Sequence, residues 1–345
     1  MKKRKKINIS KVRKQISLDE LAREAAEDDA ELINMYLNPN DFLKDKVIIP
    51  KPEVTEKQRV LFFSGMYDLM PDCDTSAVRI QYALCKLDLD SKIFKQVFHR
   101  LCSSIKFQEG VGLVGADKDL VLIFNKSGEK DYKKILNLDG QTTSLEWIGA
   151  RNSGLIGGGV YDQIVGLTDA NGEFFRKPKS IHQVKNSSCL KWVSDRGLFY
   201  VEDNNNIMFE NYYSVPFSVY ENQPKLFYKF ENNETLTSLE WMPNIGLIFS
   251  TFNEVGLISD KDGFPLKDRT GNPMYRSIMD LRGQSSIYTP ICDLQFIPNY
   301  GLAFLCLRGI YKILNTRGEA EKETIFKDKC IAPSKMTYAE FDKND

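Results

Sequence analysis

Histidine is almost absent from the sequence, since His99 and His182 are the two copies among 345 residues. Histidine is the side chain that enzymes use most often as a general acid or base. Neither copy has a carboxylate or a nucleophile at a spacing that indicates a catalytic pair. The glycine run 157–159 leads into another predicted strand rather than a helix, so it lacks the helix N-terminus of a phosphate-binding loop. We therefore predict a protein that is not an enzyme, with no catalytic residue and no cofactor.

Metal-binding patterns are also missing. The seven cysteines are odd in number and show no Cys-x-x-Cys spacing. The aspartate pairs 88/90 and 260/262 lie in predicted hairpin turns, where aspartate commonly bonds its own backbone, and calcium would need further oxygen ligands. We predict no metal site and no disulfide, which favours a reducing compartment.

Long apolar runs are missing too. No segment approaches the length of about 20 residues that a transmembrane helix needs. The basic residues 2–6 are followed by polar residues instead of the apolar core of a signal peptide. We therefore expect no membrane association and no secretion by a signal peptide, and a location in the cytoplasm or in a virion assembled there.

One pattern, by contrast, occurs five times. It consists of a small or polar residue, an aliphatic residue, a polar residue, an aromatic residue, a short turn, and then Gly-Leu with an apolar run. The central aromatic residues are separated by 40, 45, 49 and 55 residues, which is typical of propellers and other repeat arrays. The copies are SIKFQEGVGLVGA (104–116), SLEWIGARNSGLIGG (144–158), CLKWVSDRGLFYV (189–201), SLEWMPNIGLIFS (238–250) and DLQFIPNYGLAFL (293–305).

Each unit reads as four strands. The first part of the pattern alternates polar and apolar residues, which predicts a strand with one buried face. The glycine-led apolar run predicts a second strand covered on both faces. Turn clusters of Asn, Asp, Ser and Gly within 120–136, 164–177, 256–267 and 311–325 predict an outer hairpin in four of the five units, and four antiparallel strands per unit make the blade of a propeller.

A sixth, degenerate unit precedes residue 104. Residues 59–69 are interpreted as its inner strands, and 78–98 as its outer hairpin around the turn 88–91. We therefore predict an all-β fold, a single β-propeller with six four-stranded blades. Seven blades is the alternative if the stretch 264–290 contains another unit.

The units resemble those of the β-propeller superfamily, WD40-like in the broad sense, over about four fifths of the chain. They lack the Gly-His and Trp-Asp pairs of WD40 repeats and the double glycine of kelch repeats. The resemblance implies a ring-shaped fold that binds partners and assigns no catalytic residue, because function has to be argued from a site.

The first 45 residues predict a charged arm, partly helical and partly disordered. Residues 1–16 hold eight Lys or Arg and no acid, whereas 17–33 hold seven carboxylates and one Arg. Ser17 and Glu20 form a capping box that predicts a helix. We assign 1–45 to this arm, 46–330 to the propeller and 331–345 to a polar C-terminal tail.

The inner strands place charges of alternating sign at one position of the pattern. If these strands line the central channel, the belt is nearly neutral, which does not suit the threading of nucleic acid. The residues are Lys106, Glu146, Lys191, Glu240 and Gln295.

Two insertions and the basic tip of the arm are the candidate partner-binding residues. Loops on a rigid scaffold commonly carry binding, and Tyr, Met and Arg are enriched at protein interfaces. The candidates are Lys2, Lys3, Arg4, Lys5, Lys6, Tyr212, Tyr213, Phe217, Tyr220, Arg269, Met274, Tyr275, Arg276, Arg282 and Tyr288.

From these features we predict a non-enzymatic structural or adaptor subunit of a larger assembly, with a virion or phage-tail component as one instance. Its partners are other protein subunits, and the assembly sets its oligomeric state. The alternative is a nucleic-acid-associated propeller of a ribonucleoprotein complex that uses the basic tip, residues 1–16.

Overall fold

The computed structural model describes residues 57–68, 80–98, 102–124, 134–138, 140–149, 154–160, 162–211, 224–231, 234–282, 290–307, 309–327 and 332–342. The regular secondary structure of these residues is β-strand. The strands are β1 (Lys57–Asp68), β2 (Ile80–Asp88), β3 (Phe94–Phe98), β4 (Ser104–Gln108), β5 (Gly112–Asp117), β6 (Leu120–Ile123), β7 (Lys134–Asn137), β8 (Ser144–Ile148), β9 (Gly154–Val160), β10 (Gln163–Thr168), β11 (Phe174–Gln183), β12 (Ser188–Val193), β13 (Gly197–Glu202), β14 (Asn206–Glu210), β15 (Lys225–Lys229), β16 (Leu236–Met242), β17 (Gly246–Thr251), β18 (Glu254–Leu257), β19 (Arg276–Asp280), β20 (Ile291–Ile297), β21 (Gly301–Cys306), β22 (Gly309–Leu314), β23 (Ala320–Lys327) and β24 (Ala332–Asp342).

The strands form six antiparallel sheets of four strands each. From the inner to the outer strand, blade 1 is β24-β1-β2-β3, blade 2 is β4 to β7, blade 3 is β8 to β11, blade 4 is β12 to β15, blade 5 is β16 to β19 and blade 6 is β20 to β23. The innermost strands of neighbouring blades contact each other around the whole ring. The six-bladed β-propeller predicted from the sequence is confirmed.

The hydrophobic core consists of six clusters, one between each pair of neighbouring blades. The second strand of each blade is buried on both faces, as the apolar runs predict, and Phe62, Phe199, Phe249 and Phe304 on these strands are fully buried. Burial of such a side chain stabilises a fold by about 1.5–3 kcal/mol. The cluster between blades 6 and 1 closes the ring, so six blades complete it.

The glycine of the repeated pattern is required by its backbone. At Gly301 φ is +129°, and a Cβ atom there would lie 2.0 Å from the carbonyl oxygen of Leu314. At Gly197 φ is +146°, and a Cβ atom would lie 2.1 Å from the carbonyl oxygen of Glu210. A side chain at this position would therefore separate the second strand from the third.

The first residue of the pattern connects neighbouring blades. The Ser104 hydroxyl accepts a hydrogen bond from the Leu145 backbone N–H at 2.9 Å, and the Ser144 hydroxyl accepts one from Leu190 at 3.0 Å. In blade 6 the Asp293 carboxylate accepts the Met336 N–H at 2.8 Å. The position is small or polar because its side chain satisfies a buried amide of the next inner strand.

Blade 1 is assembled from both ends of the described chain. The inner strand is β24, and its residues 332–342 belong to the stretch expected from the sequence to be a polar tail. Thr337 pairs with Phe62 of β1 in the way that Glu240 pairs with Ile248 in blade 5. The sixth copy of the pattern is therefore split, with its inner strand at 335–338 and its second strand within β1.

The expected positions of the other strands of blade 1 need one correction. The sequence predicts inner strands at residues 59–69, but residues 57–68 form the single strand β1, second from the axis. The outer hairpin predicted at 78–98 is present as β2 and β3. The arm, residues 1–45, lies outside the described residues. No helix in the described part of the chain is long and apolar enough to cross a membrane.

Candidate interaction surfaces

The belt of alternating charges lies on the inner strands. Lys106 Nζ lies 2.8 Å from Glu146 Oε2, and Lys191 Nζ donates to Glu240 Oε1 at 2.5 Å. These ion pairs connect blade 2 with blade 3 and blade 4 with blade 5. Burial disfavours the charge of Lys106, but the carboxylates of Glu146 and Glu240 outweigh it and raise the lysine pKa.

A second charged network lies on the inner strands, and the sequence analysis did not identify it. Asp293 of β20 accepts a hydrogen bond from the Ser238 hydroxyl at 2.6 Å and a longer one from Lys335 Nζ at 3.3 Å. Lys335 Nζ also donates to the Thr237 carbonyl at 2.6 Å. Burial disfavours the charge of Lys335, but Asp293 stabilises it and the pKa of Lys335 is raised. This network joins the inner strands of blades 5, 6 and 1.

The opening at the axis is small and its charges are balanced. It has about 330 Å³ of empty space, part of it open to solvent, and Cys189 and Lys335 are among the residues that line it. Burial raises the pKa of the Cys189 thiol, which disfavours the nucleophilic thiolate. Within the described ranges no group of His, Cys, Asp and Glu side chains is arranged to hold a metal ion. The ion pairs and hydrogen bonds of this region join neighbouring blades.

Blade 5 carries an ordered insertion between β18 and β19, residues 258–275, which we call the blade 5 insertion. It makes two successive turns. In the first, the Asp260 carboxylate accepts the backbone N–H groups of Asp262 and Phe264, each at 2.9 Å. In the second, Asp268 accepts those of Thr270 at 2.8 Å and Asn272 at 3.0 Å. Backbone bonds from Leu266 to Ile258 and from Met274 to Leu266 join the three arms of the insertion.

The blade 5 insertion exposes large apolar side chains. The exposed fraction is 64% for Phe264 and 38% for Met274. Arg269 and Arg276 are exposed as well. Apolar anchors surrounded by arginine are typical of protein interfaces. This places three predicted contact residues, Arg269, Met274 and Arg276, on or directly beside one exposed element.

The other two described candidates have structural contacts. Tyr275 packs between blades 4 and 5 with its ring centroid 5.3 Å from that of Phe249, and its hydroxyl donates to Glu254 at 3.4 Å. Arg282, at the opposite end of β19, pairs with Asp280 at 3.0 Å and with the buried Glu254 at 3.2 Å. The carboxylates of Asp280 and Glu254 raise the pKa of Arg282. Both side chains are already used within the propeller.

The remaining predicted contact residues lie outside the described residues. They are Lys2, Lys3, Arg4, Lys5, Lys6, Tyr212, Tyr213, Phe217, Tyr220 and Tyr288.

Sequence reasoning missed Phe264 as a surface residue. The pattern of segment 256–267 predicts an ordinary outer hairpin. A further signal is present, because Asp-x-x-Gly occurs twice within this unit, at 260–263 and 268–271. Two such turns in succession indicate an extra pair of arms rather than one hairpin.

Comparisons with known proteins identify the fold and no family. No family model matches the chain and no curated protein matches it. A solved protein of unknown function from Bacteroides caccae is 10% identical, has a TM-score of 0.53, and the match covers 81% of this chain and 98% of that one. A protein from Lactobacillus plantarum is 9% identical with a TM-score of 0.47 over 82% of this chain and 99% of that one. The Cps50 (Swd1) β-propeller domain of Myceliophteria thermophila is 12% identical with a TM-score of 0.45 over 66% of this chain and 89% of that one.

Proposed function

We propose that the protein is a non-enzymatic adaptor subunit of a larger assembly, and that it binds a partner protein through the blade 5 insertion. The observation that carries the proposal is the exposure of Phe264 and Met274 on an element that is fixed by its own hydrogen bonds. A virion or phage-tail assembly remains one instance of this proposal, by analogy of fold alone.

Rigidity of the insertion is the reason to expect useful affinity. An ordered loop loses little conformational freedom when it binds, so more of the contact energy appears as affinity. The Asp260 and Asp268 carboxylates hold both turns, and Leu266 lies between the two outer arms. Phe264 and Met274 can therefore meet a partner without a prior folding step.

The absence of an enzymatic role is part of the proposal. It is supported by the balanced ion pairs at the axis, where each described lysine faces a carboxylate. Each of these groups is engaged by its partner in the pair, which disfavours a role as a general acid or base.

Binding to the insertion can be tested by substitution in the full-length chain. The double variant Phe264→Asp, Met274→Asp should lose its partner in quantitative affinity purification with mass spectrometry, because a buried aromatic anchor contributes about 2 kcal/mol or more, roughly 30-fold in affinity. Phe252→Asp is the matched control, since Phe252 is 48% exposed at the β17–β18 turn of the same blade. A partner retained by the double variant as strongly as by the control would refute the proposal.

The arm is a separate part of the proposal. Its basic tip meets an acidic surface of a partner or a nucleic acid, and residues 17–33 pack against a neighbouring subunit. Deletion of residues 1–16 should reduce co-assembly if the tip contacts protein. Loss of salt-sensitive nucleic-acid binding with unchanged co-assembly would instead support the ribonucleoprotein alternative.

A further inference from the structure

Positive charge is concentrated on the outer strands of blades 3 and 4. β11 carries Arg176, Lys177 and Lys179, and β15 carries Lys225 and Lys229. All five side chains are exposed, and neither strand contains an aspartate or a glutamate. Because blades 3 and 4 are neighbours in the ring, the two outer edges present positive charge on the same part of the rim.

Two basic residues away from the axis, by contrast, are paired with carboxylates. In blade 6, Lys312 pairs with Glu321 of the outer strand at 2.8 Å, and between blades 4 and 5 Arg196 pairs with Asp262 at 3.6 Å. None of the five residues on β11 and β15 forms an ion pair with another described residue. Their charge is therefore available to a partner.

The protection of an exposed edge does not by itself explain this composition. Lysine and proline on an edge strand prevent the pairing of sheets from different molecules. The outer strand of blade 6, β23, is also an edge and carries both signs, with Glu321, Lys322 and Glu323 in succession. Mixed charge can therefore protect an edge in this fold, and β3 and β7 each carry a single lysine. The three cations of β11 and the two of β15 exceed what edge protection needs.

The backbone of β11 is poorly suited to accept a partner strand. Thr168 pairs with Phe174 and Gly166 with Lys179, so the residues between Phe174 and Lys179 bulge out of the register. The bulge contains Pro178, which has no backbone N–H to donate. Lys179 Nζ lies 3.9 Å above the ring of Phe175, which holds its charge in place. A partner therefore contacts side chains here, and its recognition is electrostatic.

We propose that the outer edges of blades 3 and 4 bind the phosphate backbone of a nucleic acid. Phosphate affinity comes from cations that accumulate on one surface and from the counterions that they release. The exposed edges meet this requirement, whereas the axis, with its paired charges, does not. Contacts of this kind position a nucleic acid without reading its sequence.

The proposal is tested by fluorescence anisotropy with a labelled DNA duplex and a labelled single-stranded RNA as probes. The eight basic residues of 1–16 are replaced by glutamine in the full-length chain, so that they do not contribute. Five phosphate contacts predict that log K falls with log salt at a slope of about −4.5 for the duplex, or about 500-fold between about 50 and about 200 mM salt.

The deciding variant is Arg176→Gln, Lys177→Gln, Lys179→Gln in the same background. This variant leaves two phosphate contacts, so the slope of log K against log salt should become shallower, about −1.8. The affinity at low salt should decrease by at least about tenfold. The matched control removes three exposed cations from hairpin turns of blades 1, 2 and 6 by Lys92→Gln, Lys118→Gln, Arg317→Gln, and should leave the slope unchanged.

Three outcomes would overturn the proposal. The first is that neither probe binds. The second is an equal loss of affinity in the control and in the β11 variant. The third is that polyglutamate binds at the same site in preference to both probes, since this would identify an acidic protein as the partner.

Discussion

Asp293 offers the sharpest test of the network that joins the blades at the axis. The perturbation is Asp293→Asn, which keeps the size of the side chain and removes its charge. Asp293 is 5% exposed and accepts bonds from Ser238, Lys335 and the Met336 backbone. The amide has one acceptor oxygen and a donor group, so it cannot accept all three bonds.

The expected loss of stability depends on what remains to compensate the charge of Lys335. Removing one partner of a buried ion pair costs about 3–5 kcal/mol, because the remaining charge is uncompensated. Lys335 keeps its bond to the Thr237 carbonyl at 2.6 Å, and its side chain is 18% exposed. We therefore expect the lower end, a loss of about 3 kcal/mol in the free energy of unfolding.

The assay is equilibrium unfolding in urea followed by tryptophan fluorescence. The three tryptophans, Trp147, Trp192 and Trp241, lie on the inner strands of blades 3, 4 and 5, so their emission reports on the axis. The free-energy change is obtained from the shift of the midpoint at constant slope.

Two further variants make the result decisive. Asp262→Asn breaks an exposed pair with Arg196, so it should cost about 0–1 kcal/mol. Adding Lys335→Met to Asp293→Asn removes the uncompensated charge and should recover about 2 kcal/mol, a coupling typical of residues in contact. Equal losses for Asp293→Asn and Asp262→Asn, or no recovery in the double variant, would refute the reasoning.

Burial raises the pKa of Glu240 against the opposing effect of the neighbouring lysines. The contribution of Glu240 to stability is therefore present below the ordinary pKa of 4.5 and is lost as the pH rises through the raised pKa. Glu240→Gln should flatten the pH dependence of the urea midpoint above pH 4.5, and an unchanged pH profile would contradict the prediction. Gly301→Ala should lower the free energy of unfolding by at least about 3 kcal/mol, because φ is positive and the new Cβ would meet the Leu314 carbonyl. Gly149→Ala is the control: its new Cβ has its nearest atom at 3.6 Å, so the free energy of unfolding in the same urea assay should change by less than about 1 kcal/mol. Ending the chain before β24 should abolish the cooperative unfolding transition seen by calorimetry, while removal of residues 343–345 should leave it intact.

The sequence is sufficient to predict the ring because each repeat states its local requirements. The pattern at 238–250 contains the alternation of β16, the glycine that the turn needs and the apolar run of β17. The alternation, the glycine and the apolar run all indicate the same pair of strands, so five blades can be located from the amino-acid sequence alone.

The inner strand of blade 1 could not be found in the same way. Residues 335–338 have the polar–apolar alternation of an inner strand but no glycine and no second strand after them, since that strand is β1. Because β1 and β24 lie near opposite ends of the described chain, their pairing has no signature in the local sequence. The Lys335–Asp293 pair is hidden for the same reason, because one of its members lies on β24.

The surfaces could be predicted in part. Arginine and methionine in an inserted stretch indicate the blade 5 insertion, where Arg269 and Met274 are exposed. Tyr275 could not be separated from them by sequence, because an aromatic residue in an insertion is equally suited to filling the gap between two blades. The shared charge of β11 and β15 has no sequence signal, since the two strands are separated along the chain and belong to blades that become neighbours only in the ring.

The position of β24 also constrains how the protein is made. A ribosome adds about 5–20 residues per second and the N-terminal parts of a chain emerge first. β1 emerges early, with the apolar residues Leu61 and Phe63 that later contact Met336. Until the residues of β24 have left the exit tunnel, the first and last blades expose the surfaces that face each other in the finished toroid. Nascent chains stalled upstream of β24 should therefore be preferred clients of ribosome-associated chaperones.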